Sequence, residues 1–279
     1  MHNTLTPALN WGVIREGPAL GKDEAIDKLP LSDFQEGVIR CLNRHGSHGM
    51  QCARSAIHHL NRAWRIRDLD LGMALFRCLT AEEEAATAVF LALKSRKYEG
   101  ASRLRHRSHR DKSAVVPFFQ AVSAKLEIVT AEMEPMIVLD ERGTTPHLRV
   151  RIAYAHPGLP TKWAYPEPPL HFSLRVNDEL HDFRDELREL ACSVGVDDIN
   201  AHIDEQKNLR NKILYATPEG VPDIEGDGEA MILRRREFVF GSLSVFLLIE
   251  QTAERQIFAQ QCLDSFLKML DELPRQRPS

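Results

Sequence analysis

Residues 70–96, DLGMALFRCLTAEEEAATAVFLALKSR, decide the fold. Asp68 or Asp70 can cap a helix here, and Leu75, Leu79, Ala86, Phe90 and Leu93 recur at helical spacing behind it. Turned at about 100° per residue, these five fall within about 40° of one direction. The stretch therefore predicts a long helix with one packed face, ending near Arg96. It also holds Glu82-Glu83-Glu84. Glu82 and Glu83 flank the packed face by about 60° and 40° on either side, while Glu84 points away. Carboxylates at the border of a buried face are costly unless they reach solvent or meet cations.

Outward from this helix the chain continues to read as helical. Ser32 caps a helix carrying Phe34, Val38 and Leu42. A turn at His45-Gly46-Ser47-His48-Gly49 leads to a second, with Ala53, Ile57, Leu60 and Trp64 on one face. After a basic segment, Lys94 to Lys112, Pro117 suits the first turn of a helix striped by Phe118, Val122, Leu126 and Val129. Period two then takes over. Ile137 to Leu139, the alternating Leu148, Val150 and Ile152, and the alternating Leu170, Phe172, Leu174 and Val176 predict a three-stranded antiparallel sheet with one packed face. Helical spacing returns at Leu180, Phe183, Leu187 and Leu190, again after Asp197 or Asp198, and over a long final region from Met231 to about Leu273. The expected fold is mainly α: a helical bundle with a small antiparallel β insertion at about 133–177. Residues 1–30 are irregular, and 31–279 form a single domain.

Composition narrows the function. The 279 residues are 43% hydrophobic and 27% charged, which excludes collagen-like and wholly disordered classes. A formal charge of −4 means that any nucleic-acid site must be local. Five cysteines, an odd number with no C-x-x-C pair, point to reduced thiols and a cytoplasmic protein. The most apolar run, Phe238 to Ile249, falls short of the ~20 residues that span a bilayer, so no membrane association is expected.

Several residues carry possible chemistry. Arg210 lies in the apolar stripe Ile199, Ile203, Ile213 and Leu214, and a guanidinium there needs a carboxylate or a polar cavity; Glu83 is the expected partner, inside the bundle. Asp197-Asp198 reads as a helix cap, and Arg234-Arg235-Arg236 as a solvated turn. The segment Arg103 to Lys112 contains His106-x-x-His109-x-x-Lys112 and can hold phosphates, or can be a solvated connection between helices. Cys41, His45, His48 and Cys52 are four zinc-capable side chains around a glycine turn, though not at the spacing of a familiar zinc module. No nucleotide-binding, nucleophile-elbow or H-E-x-x-H motif is present, and no cofactor or catalytic metal is expected.

Taken together, Glu83-Glu84, then His109-x-x-Lys112, then Arg210-Asn211-Lys212-Ile213-Leu214-Tyr215 resemble the HEPN superfamily of helical proteins, in its AbiV-like abortive-infection branch. The resemblance spans about residues 70–216. It implies a bacterial antiviral defence or toxin protein that binds or cleaves RNA without metal, as a homodimer with paired Arg210 sites, and with a phage or cellular protein as a possible partner. It further implies catalytic roles for Arg210, Tyr215, Glu83 and His109, and RNA contacts from Lys112, Asn211, Arg105 and Arg107. Two positions depart from the pattern. Thr87 stands where a lysine is usual, and Tyr215 stands where the R-x4-6-H ribonuclease motif has its histidine. A tyrosine is a weak general base at neutral pH but can hydrogen-bond a phosphate. The alternative is a non-catalytic interaction protein, a sensor or scaffold, in which Glu83, Lys112 and Arg210 form a structural polar lock.

Overall fold

The computed structural model describes residues 28–43, 46–129, 135–154, 162–193, 199–215, 220 and 224–272. Helix α1 (Asp33–Leu42) opens with a capping box in which the Ser32 hydroxyl accepts from the Gln35 amide and the Gln35 side chain returns to Ser32. Helix α2 (His48–Ile66) is capped by Ser47, and α3 (Leu71–Ser95) by Asp70, whose carboxylate accepts from Met73 N at 2.8 Å.

Helix α3 is the central rail. It packs along α2 on one side and along α8 (Gly228–Glu250) on the other. The α2–α3 seam is lined by small residues, Ala53, Ala56 and Ala63 against Ala74, Ala81, Ala85 and Ala88, all fully buried. A Cβ on Gly49 would lie 3.0 Å from the Phe246 ring and 3.3 Å from the Ala88 carbonyl, so glycine lets these helices close up. Short α4 (His109–Ser113) and α5 (Val115–Val129) follow, with Pro117 in the first turn of α5. Helices α6 (Arg184–Ser193), α7 (Ile199–Leu214) and α9 (Ile257–Glu272) complete the bundle. Phe118, Phe183, Phe246, Leu60 and Leu248 fill a single core.

The β insertion is present, with a different third strand. Strands β1 (Pro135–Asp140) and β2 (His147–Tyr154) pair antiparallel from Pro135↔Ile152 to Asp140↔His147. Leu148 and Val150 are buried, while Arg149 and Arg151 leave the opposite face and lie over the Tyr165 and Trp163 rings. The third strand is β3 (Lys162–Ala164), not Leu170 to Val176. Of that alternating stretch only β4 (Arg175–Val176) is strand, and it pairs with β5 (Glu179–Leu180) in a separate ribbon.

The reason lies in α9. Gln256 accepts from the Leu170 amide at 2.7 Å, and Gln261 accepts from the Leu174 amide at 3.0 Å while donating to the Leu174 and His181 carbonyls. Two buried glutamines thus do for this segment what a neighbouring strand would do, and Leu170 and Leu174 are buried without joining a sheet. Replacing Gln261 by Met keeps the bulk but leaves these backbone groups unpaired. The expected loss is about 2–3 kcal/mol, read as a lower urea midpoint at unchanged m-value.

Two further expectations change. The final helical region is divided into α8 and α9, because buried Gln256 turns its side chain onto the Leu248 carbonyl and gives its own amide to the Tyr98 hydroxyl. Helix α6 starts at Arg184 and not near Leu180, since Phe183 takes a left-handed φ of 58° to seat its ring against Phe118. The expected cap at Asp197 or Asp198, the irregular character of residues 1–27 and the position of His45 lie outside the described residues.

Candidate functional site

The consecutive glutamates of α3 leave the helix in two directions and meet two different sets of cations. Glu82 turns to α8, where Arg235 Nη1 lies 2.9 Å from both carboxylate oxygens. Glu82 is 8% exposed, and burial raises its carboxyl pKa against the opposing pull of the arginine. Arg235 is therefore no solvated turn residue; it is the cation that makes a buried Glu82 possible. The same burial pushes the neighbouring Cys78 thiol up to about 12.

Glu83 turns to α4. One carboxylate oxygen lies 2.7 Å from Lys112 Nζ, and both lie within 2.9 Å of His109 Nδ1. The basic loop before α4 is folded around Asp111, which is 1% exposed. Its carboxylate accepts from the Arg105 guanidinium at 2.8 and 3.0 Å and from the Ser108 hydroxyl at 2.8 Å, while Ser108 caps the helix. That cap sets α4 so that His109 and Lys112, three residues apart, share the face turned to α3. Ser108-His109-Arg110-Asp111 has the form of a capping box, a signal in the sequence that marks where this helix begins.

Arg210 arrives from α7. Its Nη1 lies 3.1 Å from His109 Nδ1 and 3.0 Å from Nε2. A single nitrogen that close to both ring nitrogens sits over the imidazole face and not in its plane, where a hydrogen bond would form. Its Cζ lies 5.2 Å from the centroid of the Phe76 ring. The expected Glu83–Arg210 ion pair inside the bundle is thus replaced. Glu83 pairs with His109 and Lys112, and Arg210 reaches the cluster through the imidazole, half-buried at a cleft. The reason is reach: α4 packs against both α3 and α7 and brings His109 and Lys112 onto the carboxylate.

The cleft measures about 150 Å³ and is lined by Leu79, Glu82, Glu83, His109, Lys112, Ser113, Val116, Arg210 and Asn211. With Glu82 neutralised by Arg235, two fixed cations face one carboxylate across it. Lys112 is only 10% exposed at its side chain, whereas His109 is 48% exposed. Tyr215 is not among the lining residues. Helix α7 runs to Leu214, the Tyr215 amide still bonds to Asn211 O, and five residues turn Tyr215 about 500° from Arg210. It stands 65% exposed at the helix end. Arg105 is committed to Asp111, and Arg107 is exposed outside the cleft.

No family model matches the chain, and no curated protein or solved structure is significantly similar to it. The site therefore rests on its own geometry.

That geometry has a definite chemical content. With Nδ1 held by the Glu83 carboxylate, a neutral His109 carries its proton there and presents Nε2 unprotonated. A carboxylate that orients a histidine in this way also stabilises the imidazolium formed when Nε2 takes a proton. Arg210 supplies a permanent positive charge beside that nitrogen.

Of the zinc-capable cluster, His45 lies outside the described residues. Among the described residues no three His, Cys, Asp or Glu side chains are placed to share a metal ion. The Cys41 thiol donates to the Pro146 carbonyl, and burial together with Glu84 pushes the Cys52 thiol up to about 11. Among the described residues no helix is long and apolar enough to cross a membrane.

Proposed function

We propose that this chain is a HEPN-like RNA-binding protein that cleaves RNA at the cleft between α3, α4 and α7. The observation that carries the reading is the stacking of Arg210 on an imidazole whose Nδ1 is held by Glu83. An arginine beside an oriented histidine is the pair that the R-x4-6-H motif supplies from one helix. Here His109 comes from a different helix, and Tyr215 is not needed for it. In the proposed reaction the 2′-hydroxyl loses its proton to His109 Nε2 and its oxygen attacks the adjacent phosphorus. A 2′,3′-cyclic phosphate forms as the P–O5′ bond breaks, and Arg210 holds the phosphate charge throughout. The proton taken by His109 is returned through water to the departing 5′-oxygen, which leaves as a hydroxyl. The acidic net charge confines RNA to this local site, and a homodimer with two clefts facing one another would concentrate the positive potential. A defence role in a bacterial cytoplasm, triggered by a phage or cellular protein, is the biological setting that this reading supports.

The deciding experiment is cleavage of a mixed RNA pool by the wild type beside Arg210→Ala, Arg210→Lys and Tyr215→Phe, with melting temperatures measured in parallel. Arg210→Ala is expected to lose cleavage at least ~100-fold and Arg210→Lys to recover part of it, because the charge returns without the planar fork. Tyr215→Phe should stay within about threefold of wild type, since a neutral hydroxyl contact is worth about 1 kcal/mol at most. Protein side chains supply both base and charge, so activity in excess chelator should equal activity without it.

A second reading is favoured by one observation. Glu83 and Lys112 are 16% and 10% exposed and satisfy each other, as a structural lock would. If Arg210→Ala lowers the melting temperature and wild type leaves RNA intact, the chain is a non-catalytic interaction protein.

A further inference from the structure

Between α3, α5, α8, α9 and the first two strands, the core holds a cavity of about 120 Å³ that is separate from the cleft. Close-packed interiors leave few voids larger than a water molecule. Phe119, Val122, Leu126, Phe172 and Cys262 pack against the core and remain only partly buried. They are in place for a core that is not filled by this chain's own described side chains. Among the described residues the lining carries no charged group, so an ion would lose its hydration there without compensation. Water gains little from such walls as well, and apolar cavities of this order stay dry and take up ring-sized apolar molecules. One polar group breaks the pattern. Ser123 lines the cavity at 6% exposure, and its buried hydroxyl has no hydrogen-bond partner among the described residues. Buried hydroxyls in folded proteins nearly always have one.

We propose that this cavity is a binding site for an uncharged, largely apolar small molecule of one ring, carrying one hydroxyl or carbonyl that pairs with Ser123. The walls come from both the bundle and the β insertion, so an occupant joins the two across the interface between them.

The test uses the full chain and two isosteric probes, p-cresol and p-xylene, titrated by calorimetry and by thermal shift. Both are expected to bind once per chain and to raise the melting temperature. Ser123→Ala should weaken p-cresol about fivefold, the value of one neutral hydrogen bond, and leave p-xylene unchanged. Val122→Phe and Ala259→Leu, each filling the cavity from a different helix, should abolish binding of both probes while the protein still melts cooperatively. Saturable binding by neither probe overturns the proposal. So does binding that persists unchanged in a folded cavity-filling variant, or a Ser123→Ala effect equal for the two probes.

Discussion

His109→Ala is expected to lower RNA cleavage by about 10²–10⁴-fold, the range that a positioned general base contributes. The effect should fall on kcat, because the imidazole acts on the proton in flight and not on the resting substrate. His109→Gln separates this from folding: its amide can still donate to Glu83, yet it cannot accept and carry a proton. It should therefore stay folded and lose nearly as much activity as alanine. Glu83→Gln belongs to the same experiment. It removes the charge that fixes the tautomer and stabilises the imidazolium, and it also strips Lys112 of its counter-ion at 2.7 Å. Both activity and melting temperature should drop, whereas His109→Gln moves activity alone. A folded His109→Gln protein that cuts RNA at the wild-type rate would falsify the catalytic assignment.

The largest stability effect is expected on the other side of α3. Arg235→Ala leaves Glu82 buried without its cation, and breaking one half of a buried pair costs about 3–5 kcal/mol. Replacing both by methionine should cost far less, and a chemical denaturation series of the two singles and the double reads this directly. The pH dependence has a fixed sign. Burial holds the Glu82 carboxyl above its ordinary value, and without Arg235 nothing opposes that rise. Between the unfolded and folded values the native state binds the extra proton, so stability falls as pH increases through that window. The Arg235→Ala deficit should accordingly be widest at neutral pH and shrink as pH falls toward the ordinary carboxylate range. A deficit that grows on acidification would place the damage elsewhere.

Much of this architecture was readable before any coordinates because it is written in local signals. Ser32 and Asp70 cap the helices they were expected to cap, and Leu148 and Val150 bury the expected face of β2. What was not readable involves partners far along the chain. The alternation of Leu170, Phe172 and Leu174 records burial, and burial is real, but the hydrogen-bond partners are glutamine side chains more than 80 residues away. Pro166, Pro168 and Pro169 just before it already remove amide donors that a sheet strand would use.

Arg235 shows a different failure. Three arginines in a row read as one charged patch, yet at about 100° per residue they point in different directions. Ile232 and Val239, three before and four after Arg235, are both fully buried, so the same arithmetic that placed Glu83 at a border points Arg235 inward. Of the residues the sequence singled out, Glu83, His109, Lys112, Arg210 and Asn211 line one cleft, while Tyr215, Arg105 and Arg107 lie outside it. The wiring of the cleft was not legible. Which cation answers which glutamate depends on Asp111 and Ser108 folding the basic loop back.

The alanine-lined seam between α2 and α3 has a consequence in time. These two helices are joined by residues 67–70 alone, so their contacts are local in sequence and close with little loss of chain entropy. The hairpin they form is the natural early structure on the folding route. Closing the cleft is the reverse case, because Arg210 must find His109 across 101 residues. By sequence separation, Glu83 can meet His109 and Lys112 before Arg210 arrives. The Arg210–His109 contact is therefore expected to assemble last of the group and to be among the first to open when the native state fluctuates.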